Sequence, residues 1–336
     1  LKQQFVGGGG GRECERACKE SLRMSSSSGR VELHSAEEIL LGEKPLGRGS
    51  YAVVYPGKII ADGTPVAVKV INLDNVGDDL DEIQKEIRAM WDLQNSPHVT
   101  KVFGSFVVDD NLWIVMEFLG GGCIQDLRNR KELPEEAIAI ILKETLLGLE
   151  YLHSQNKIHR DIKAANILLT SDAQVKLADF GVSAQLSDSI KKRHTLIGSP
   201  FWMAPEVFMG SGHNEKVDVW SVGITAIEIA TQHPPYYREN PVSVAMKIPM
   251  QPAPRLEGGY STEFKDFVQQ ALTKDPDLRP SVSELLDHPF LQGVGDCTRL
   301  KELIGDSMDI QSVGDISTGN TLRREAVKEK DSDWAF

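Results

Sequence analysis

Residues 158–169 read IHRDIKAANILL, and residues 177–183 read LADFGVS. Between them they contain a carboxylate at Asp161, an amide at Asn166 and a second carboxylate at Asp179. Mg²⁺ prefers oxygen ligands, so Asn166 and Asp179 are candidate metal ligands. Asp161 is a candidate to accept or orient the proton of a hydroxyl. Because phosphoryl transfer depends on such positioning and on neutralising spread negative charge, the two stretches predict a site for it.

Lys163 lies in the first stretch, two residues after Asp161. A lysine there is suited to neutralising the γ-phosphate of ATP. Plainer structural explanations exist, since Asn166 could cap a helix and Asp179 could be the acid of a turn. Each short motif alone could arise by chance, but the order and spacing of both argue against these alternatives.

A glycine-rich stretch at residues 46–58, LGRGSYAVVYPGK, precedes both motifs. Gly47 and Gly49 begin the G-x-G pattern of a loop whose backbone N–H groups can approach phosphate oxygens. Val54 follows the third position of the pattern, which is Ala52 instead of glycine. Taken alone, the stretch fits a plain hairpin turn better. Its place one strand before the run VAVK favours a phosphate-covering loop.

Lys69 ends the run VAVK, and an alternating strand would point it inward, toward the phosphates of ATP. A helix is predicted over Leu80–Leu93, with apolar residues at helical spacing and Glu86 on their face. We expect a Lys69–Glu86 ion pair between strand and helix, whose loss would leave a partly buried charge. The alternative is a solvated lysine at a strand edge.

The composition narrows the functional classes. The 336 residues carry a net charge of −12 with a pI of about 5.2, which disfavours a nucleic-acid-binding protein because such proteins have a basic footprint. No apolar run reaches the ~18 residues needed to span a bilayer. The cysteines are too few and too scattered for a disulfide scaffold. We expect a cytoplasmic protein with reduced thiols at Cys14, Cys18, Cys123 and Cys297.

The chain changes character along its length. Glycine and serine runs predict a disordered leader, and Val-, Ile- and aromatic-rich runs after it predict an antiparallel sheet. Apolar helical stretches dominate after the sheet, so we expect an α+β protein of two lobes with a ligand cleft between them. The predicted divisions are a leader (1–35), a β-rich lobe (36–119), a helical lobe (120–292) and a mostly flexible regulatory tail that could contain one short helix (293–336).

Residues 179–206 read as a regulatory loop. Thr195 follows three basic residues there, and a phosphate on it would add about −1.5 to −2 charge. These bases and Arg160 could hold that charge and order the loop beside Asp161. The alternative is an unmodified threonine in a flexible basic loop. Ser199 is a second candidate phosphosite, although its position suits contact with the acceptor hydroxyl or with Asp161.

Three further interactions are predicted to support the helical lobe. Glu206 and Arg279, distant in sequence, are expected to form a buried ion pair. Asp218 is expected to accept backbone hydrogen bonds from the loop that carries Asp161. Ser281 and Glu284 fit a capping box at the start of a helix.

Together, residues 41–291 resemble a eukaryotic protein kinase domain. The runs GSPFWMAPE, LWIVMEFLGGG, IHRDIKAANILL and DEIQKEI are similar to the germinal-centre, sterile-twenty-like group, and SPHVTKVFGSF to its mammalian sterile-twenty-like branch. The resemblance implies a bilobal kinase fold that uses ATP and Mg²⁺. Lys163 within HRDIKAAN follows the serine/threonine pattern, and Val182 resembles kinases that prefer threonine acceptors.

The resemblance also implies individual site residues. It puts adenine at a hinge formed by Glu117 and Leu119, with Met116 as gatekeeper. It suggests protein substrates, a signalling role and autophosphorylation at Thr195, for which a dimer would allow the reaction in trans. The remaining residues implied for the ATP site are Leu46, Gly47, Gly49, Val54, Ala67, Lys69, Cys123 and Leu168.

Three positions depart from the pattern of the group. Ala52 replaces the third loop glycine, which should stiffen the loop, and Ser199 stands where threonine is usual. Cys123 replaces a usual serine at the lip of the ATP cleft, before a helix predicted to begin at about Ile124. Because a helix N-terminus lowers the pKa of a thiol, we expect Cys123 to react with an acrylamide in the ATP site. The alternative is an unreactive surface thiol.

The last residues read DSDWAF. Trp334 and Phe336 lie in a polar segment without a local core, and tryptophan is a common interface anchor. The Trp-x-Phe pattern resembles the segment by which the same branch docks a helical-repeat scaffold, although the pair could be a chance one. The leading interpretation of the chain is an active serine/threonine protein kinase. A nucleotide-binding pseudokinase is favoured by Ala52 alone, and the long loop before Glu206 argues against a small-molecule kinase.

Overall fold

A computed structural model describes residues 33, 35–49, 52–73, 93, 96–179, 200–210 and 214–305. The helix predicted over Leu80–Leu93 lies outside the described residues except for Leu93 itself. Leu33, at the end of the predicted disordered leader, is buried against the sheet, and its N–H donates to the carbonyl of Phe103. The described residues therefore include the end of the predicted leader.

An antiparallel sheet forms the first lobe, as its β-rich runs predict. Its strands lie in the order β1-β3-β4-β6-β5, with β2 paired to β3. A short 3-10 helix at Ala36–Glu38 precedes it. The strands are β1 Ile39–Leu41, β2 Gly47–Arg48, β3 Ala52–Ile59, β4 Pro65–Asn72, β5 Val102–Val108 and β6 Asn111–Glu117.

Strand β4 is buried on both faces, which explains its continuous apolar run. Val66 and Val68 pack into a core on one side of the sheet, whereas Ala67 and Ile71 join the large core shared with the helices. Side chains alternate along a strand, so Lys69 lies on the same side as Ala67 and Ile71. The sheet thus directs one lysine toward the helical lobe.

Helices dominate the second lobe. Two of them, α2 (Glu135–Ser154) and α4 (Lys216–Thr231), are buried along most of their length and form the centre of this lobe. The predicted capping box of Ser281 and Glu284 is confirmed at the start of α7. The helices are α1 Ile124–Arg130, α2 Glu135–Ser154, α3 Pro205–Met209, α4 Lys216–Thr231, α5 Pro241–Met250, α6 Thr262–Ala271, α7 Val282–Leu286 and α8 Cys297–Ile304, with 3-10 turns at Ala164–Asn166, Pro200–Trp202 and Pro289–Leu291.

A small sheet joins the two lobes. It consists of β7 Gly122–Cys123, β8 Ile167–Leu169 and β9 Val175–Leu177. The N–H of Leu177 donates to the carbonyl of His98 at 2.8 Å, and the N–H of Thr100 donates to the carbonyl of Leu177 at 3.0 Å. The loop before β8 and the residues after β9 therefore lie at the junction. The predicted α+β architecture of two lobes is confirmed.

Helix α8 extends the helical lobe beyond the predicted boundary at residue 292. Leu300 and Ile304 are buried, and Nζ of Lys131 donates to the carbonyl of Leu303 at the end of the helix. The short helix allowed for in the predicted flexible tail is thus packed onto the lobe. Within the described part of the chain, every helix is too short or too polar to cross a bilayer.

Candidate active site

One buried carboxylate holds the loop between α2 and β8, which carries Asp161. Asp218 on α4 accepts the backbone N–H of His159 at 2.8 Å and that of Arg160 at 2.7 Å. The carboxylate of Asp218 also forms a hydrogen bond with Nε2 of His153 at 2.8 Å. The bonds hold Arg160 in a left-handed conformation (φ +66°), which costs energy for a residue with a Cβ. The predicted role of Asp218 is confirmed.

His159 connects this loop to the residue before Asp179. It is completely buried; Nε2 donates to the carbonyl of Ala178 at 3.1 Å, and Nδ1 accepts the N–H of Asp161 at 3.3 Å. Burial lowers the pKa of the imidazole, which favours the neutral form that has one donor and one acceptor. The neutral ring thereby fixes the backbone on both sides of the site.

Asp161, Lys163 and Asn166 form one hydrogen-bonded cluster. Nζ of Lys163 contacts both carboxylate oxygens of Asp161, at 3.0 and 2.9 Å. Nδ2 of Asn166 donates to the carbonyl and to Oδ2 of Asp161, both at 2.8 Å. Side chains of Asp161 and Lys163 are 25% and 20% exposed, so a substrate can reach them. Because Asn166 uses its amide nitrogen for these bonds, its Oδ1 atom is available to a metal ion.

Asp179 and Lys69 meet across the junction of the lobes. Nζ of Lys69 donates to Oδ1 of Asp179 at 2.7 Å, and the side chain of Asp179 remains 33% exposed. Burial opposes ionisation of Asp179, but the charge and hydrogen bond of Lys69 outweigh it, so the pKa of the carboxyl lies below its usual value. Asp179 is therefore an anion at neutral pH. Glu86, the predicted partner of Lys69, lies outside the described residues.

The donor set fits Mg²⁺. Asn166 and Asp179 offer hard oxygen ligands from two neighbouring segments. Among the described residues, no group of three or more His, Cys, Asp or Glu side chains surrounds a common point. Mg²⁺ is usually bound by one or two protein oxygens together with phosphate oxygens and water, and not by a closed protein cage. The site therefore suits a metal that arrives with a phosphorylated substrate.

The other residues implied for the ATP site lie on the sheet of the first lobe and at the junction of the lobes. Ala67 on β4 pairs with Met116 on β6, and both belong to the large core, against which Leu46 and Val54 also pack. Leu119 is buried beyond the end of β6. The implied residues that remain are Leu168, which pairs with Cys123 between β8 and β7, and the exposed Gly47 and Gly49 on or beside β2.

A family model for the protein kinase domain matches residues 41–291. The chain belongs to the protein kinase family. The domain supports a transferase that binds ATP and phosphorylates protein. The match covers the range over which the sequence resembles kinases, and it confirms that resemblance at the level of the family.

Glu117, the predicted hinge residue, uses its side chain for contacts within the protein. Its Oε1 atom accepts hydrogen bonds from Nζ of Lys176 at 2.7 Å and from the backbone N–H of Lys101 at 2.8 Å. Lys176 on β9 is buried. The ion pair thus links the end of β6 to the small sheet.

Cys123 does not have the predicted low pKa. It is the N-cap of α1, and its Sγ atom accepts the N–H of Asp126 at 3.4 Å. Burial raises the pKa of the thiol to about 12, and the nearby Asp126 carboxylate adds to the shift. The hydrogen bonds from the helix N-terminus do not compensate for this desolvation. The prediction that α1 begins at Ile124 is confirmed, but the inference of an acidified thiol is wrong.

The predicted ion pair of the helical lobe is present in the kinase. Arg279 donates to Oε1 and Oε2 of Glu206 at 2.7 and 3.1 Å, and both residues are buried. The guanidinium carbon lies 5.2 Å from the centre of the Trp220 ring. The remaining predicted site residues, Thr195, Ser199, Trp334 and Phe336, lie outside the described residues.

Two residues near the site were not predicted from the sequence. Lys176 contacts Glu117, and Glu228 on α4 contacts the loop of Asp161. Both are buried ionisable residues whose immediate neighbours in the sequence are apolar. That exception to the apolar pattern is the signal by which the sequence could have shown them.

Proposed function

We propose that the chain is an active serine/threonine protein kinase of the germinal-centre, sterile-twenty-like group. It transfers the γ-phosphate of ATP to protein hydroxyls and prefers threonine. One observation carries the proposal: the Asp161–Lys163–Asn166 cluster and the Lys69–Asp179 pair meet at the junction of the lobes. The charged groups that phosphoryl transfer requires therefore lie close together, as far as they fall within the described residues. They are Lys69, Asp161, Lys163 and Asp179.

Each residue has a definite task in this reaction. Asp161 accepts or orients the proton of the acceptor hydroxyl, and Lys163 neutralises charge on the transferred phosphoryl group. Lys69 holds the phosphates of ATP, together with the glycine-rich loop at Gly47 and Gly49. Mg²⁺ bound to Asn166 and Asp179 would neutralise the charge on the phosphate oxygens. A pseudokinase would need one of these groups to be missing, and Ala52 removes none of them.

The proposed acceptor specificity and the proposed boundaries of the lobes rest on the sequence. Lys163 within HRDIKAAN supports serine/threonine specificity, and Val182 supports a threonine preference. We propose a β-rich lobe over about 36–119 and a helical lobe from 120, with adenine bound at Glu117 and Leu119. A cytoplasmic signalling role follows from the group that the chain resembles.

Phosphorylation of Thr195 would switch the kinase on. Arg160 is exposed beside Asp161, and its backbone is fixed by Asp218, so a phosphate held by Arg160 would be tied to the catalytic loop. Autophosphorylation in trans requires a transient dimer. Ser199 would contact the acceptor, and Trp334 with Phe336 would bind a helical-repeat scaffold.

Transfer of labelled phosphate from ATP in the presence of Mg²⁺ tests the proposal. The acceptors are the protein itself and myelin basic protein, and phosphoamino-acid analysis identifies the product. We expect label on threonine for the wild type, none for Asp161→Asn and less for Thr195→Ala. Wild-type protein that binds nucleotide but transfers nothing is a pseudokinase, and label on tyrosine would overturn the proposed specificity.

A further inference from the structure

A buried ion pair joins the predicted hinge to the strand that leads to Asp179. Nζ of Lys176 on β9 donates to Oε1 of Glu117 at 2.7 Å, and the two side chains are 6% and 19% exposed. Lys176 precedes Asp179 by only three residues. The pair therefore connects the residue predicted to bind adenine with the strand that carries a predicted metal ligand at its end.

The small sheet gives Lys176 its direction. Cys123, Leu168 and Lys176 stand opposite one another on β7, β8 and β9, and residues paired in this way project from the same face of a sheet. Val175 and Leu177, the neighbours of Lys176 on β9, are buried on the other face. Because Cys123 and Leu168 are both implied for the ATP site, Lys176 lies in one row with two predicted nucleotide contacts.

A second connection to the first lobe lies next to the ion pair. The hydroxyl of Thr100 donates to the carbonyl of Leu177 at 2.8 Å, and the N–H of Leu177 donates to the carbonyl of His98. Consecutive residues of β9 thus hold two different parts of the lobe, since Lys176 contacts the end of β6 and Leu177 contacts the segment before β5. Two points of attachment restrict the angle between the lobes more than one does.

The residues after β9 reach the predicted Mg²⁺ ligands. The N–H of Ala178 donates to the carbonyl of Asn166 at 3.0 Å, and Asp179 follows it in the chain. A shift of β9 relative to the hinge would therefore move both ligands relative to adenine. A nucleotide that binds the hinge through its base and the metal through its phosphates requires a fixed distance between these two places.

We propose that Lys176 is a positioning residue that fixes the predicted metal ligands relative to the hinge. The inference rests on the proposed kinase activity, with adenine bound at Glu117 and Leu119. It predicts that Lys176 affects the use of ATP more than the use of the acceptor protein, because the ion pair joins the two predicted ends of the nucleotide site.

The energetics of the pair favour a positioning role over a stabilising one. The cost of withdrawing two charges from water offsets much of their attraction, so a buried ion pair is weak evidence for stability. A charge-assisted hydrogen bond is short and directional, however, and it restricts the two segments that it joins. The pair of Lys176 and Glu117 thus restricts geometry more than it stabilises the fold.

Three variants take the pair apart. Lys176→Met keeps an unbranched side chain of similar length and removes the charge and the bond. Glu117→Gln keeps an oxygen that can accept from Lys176 and from the N–H of Lys101. The double variant Glu117→Gln, Lys176→Met leaves neither charge unpaired in the interior, so it should fold even if Lys176→Met alone is destabilised.

Two ligands separate the hinge from the metal side in binding titrations. Adenosine contacts only the hinge end of the site, whereas AMP-PNP with Mg²⁺ occupies its whole length without transferring phosphate. We expect Lys176→Met and the double variant to bind Mg²⁺·AMP-PNP about tenfold more weakly, and adenosine within about threefold of the wild type. Glu117→Gln should lose less, because it keeps the hydrogen bond.

Steady-state kinetics with varied ATP and varied myelin basic protein give the corresponding result for the active enzyme. Lys176→Met and the double variant should raise KM for ATP about tenfold and change KM for the acceptor by less than about threefold. Lys301→Met is the matched control, because it breaks an exposed pair with Asp172 at the turn of the same β8–β9 hairpin. It should leave both constants unchanged.

Three results would each overturn the inference. Equal weakening of adenosine and Mg²⁺·AMP-PNP would confine the effect of Lys176 to the hinge. Unchanged binding of both ligands in the double variant would make the pair purely structural, and an equal rise in both Michaelis constants would indicate general damage. A wild type that shows the expected difference between the two ligands but transfers no phosphate would overturn the proposed function alone.

Discussion

Two ion pairs of the protein differ in how far their side chains are exposed to solvent. Arg279 and Glu206 contact each other twice, and Arg279 also donates to the carbonyls of Thr273, Lys216 and Lys274. Every polar atom of the guanidinium is used inside the lobe. Such a pair is closed to any ligand, and its effect is on the stability of the helical lobe.

The pair of Lys69 and Asp179 is open by comparison. One hydrogen bond joins the two side chains, Asp179 remains partly exposed, and its backbone is held at φ +61°. Strained and partly exposed ionisable groups are typical of functional sites. We therefore expect stability to depend on the first pair and catalysis on the second.

Asp179→Asn should have the largest effect. It removes the charge that would hold Mg²⁺ while keeping the shape of the side chain, so we expect kcat to fall by roughly 10³-fold or more. The melting temperature should change less than in Arg279→Met, because asparagine keeps an oxygen that can accept the bond from Lys69 and the side chain is partly exposed. Phosphate transfer and thermal unfolding measured on one preparation check both statements.

Asp172→Asn is the matched control for Asp179→Asn. It makes the same chemical change in an exposed ion pair with Lys301, where we expect normal activity. A melting temperature lowered as much by Asp179→Asn as by a core substitution would contradict the proposed division between the two pairs.

Arg279→Met should act on stability first. It leaves the buried carboxylate of Glu206 without its partner, and breaking such a pair costs about 3–5 kcal/mol of the free energy of unfolding. Chemical denaturation measures the loss. Arg299→Met, which breaks an exposed pair with Glu136, is the control and should resemble the wild type. Full recovery of stability in the double variant Glu206→Gln, Arg279→Met is not expected, because Arg279 also binds three carbonyls.

The cluster around Asp161 could be predicted because the spacing of its residues is local. Asp161, Lys163 and Asn166 lie within one short loop, and the chain itself brings them together. The alternation of β4 likewise predicted the direction of Lys69. The contact of Lys69 with Asp179 was not predicted, because it depends on how the two lobes meet.

Burial is the property that the sequence did not reveal. Cys123 stands at a helix N-terminus, and local reasoning predicts an acidic thiol there, whereas the surrounding fold desolvates it. Glu228 recurs at helical spacing with other polar residues of α4, but its contacts with Ala164 and Trp202 could not be predicted without the fold. Tertiary packing decides both cases, since it fixes which groups are withdrawn from water.

Cys123 extends the comparison to a group that is half-buried and uncharged. Because its pKa is about 12, roughly one thiol in 10⁴ is ionised at pH 8, and alkylation by iodoacetamide should be slow. The rate should rise about tenfold per pH unit between pH 7 and pH 10. Peptide mass spectrometry of the wild type, with Cys123→Ser to exclude other thiols, measures it. A rate that levels off below pH 9 would restore the original prediction of an acidified thiol.

A substitution of Thr145 has the smallest expected effect, and it tests how far the comparison of the two ion pairs applies to other buried groups. Its hydroxyl is buried in α2 and has no hydrogen-bond partner among the described residues, yet it lies in the core and not at the site. A buried polar group that has no partner and lies away from a ligand site only lowers the free energy of unfolding. Thr145→Val keeps the branched shape and removes the hydroxyl, so we expect the free energy of unfolding to rise by about 1 kcal/mol, with unchanged kinetics. Denaturation and transfer assays check this. A loss of activity in this variant would mean that a buried group away from the site contributes to function, and assigning the buried pair to stability and the exposed pair to catalysis would lose its physical basis.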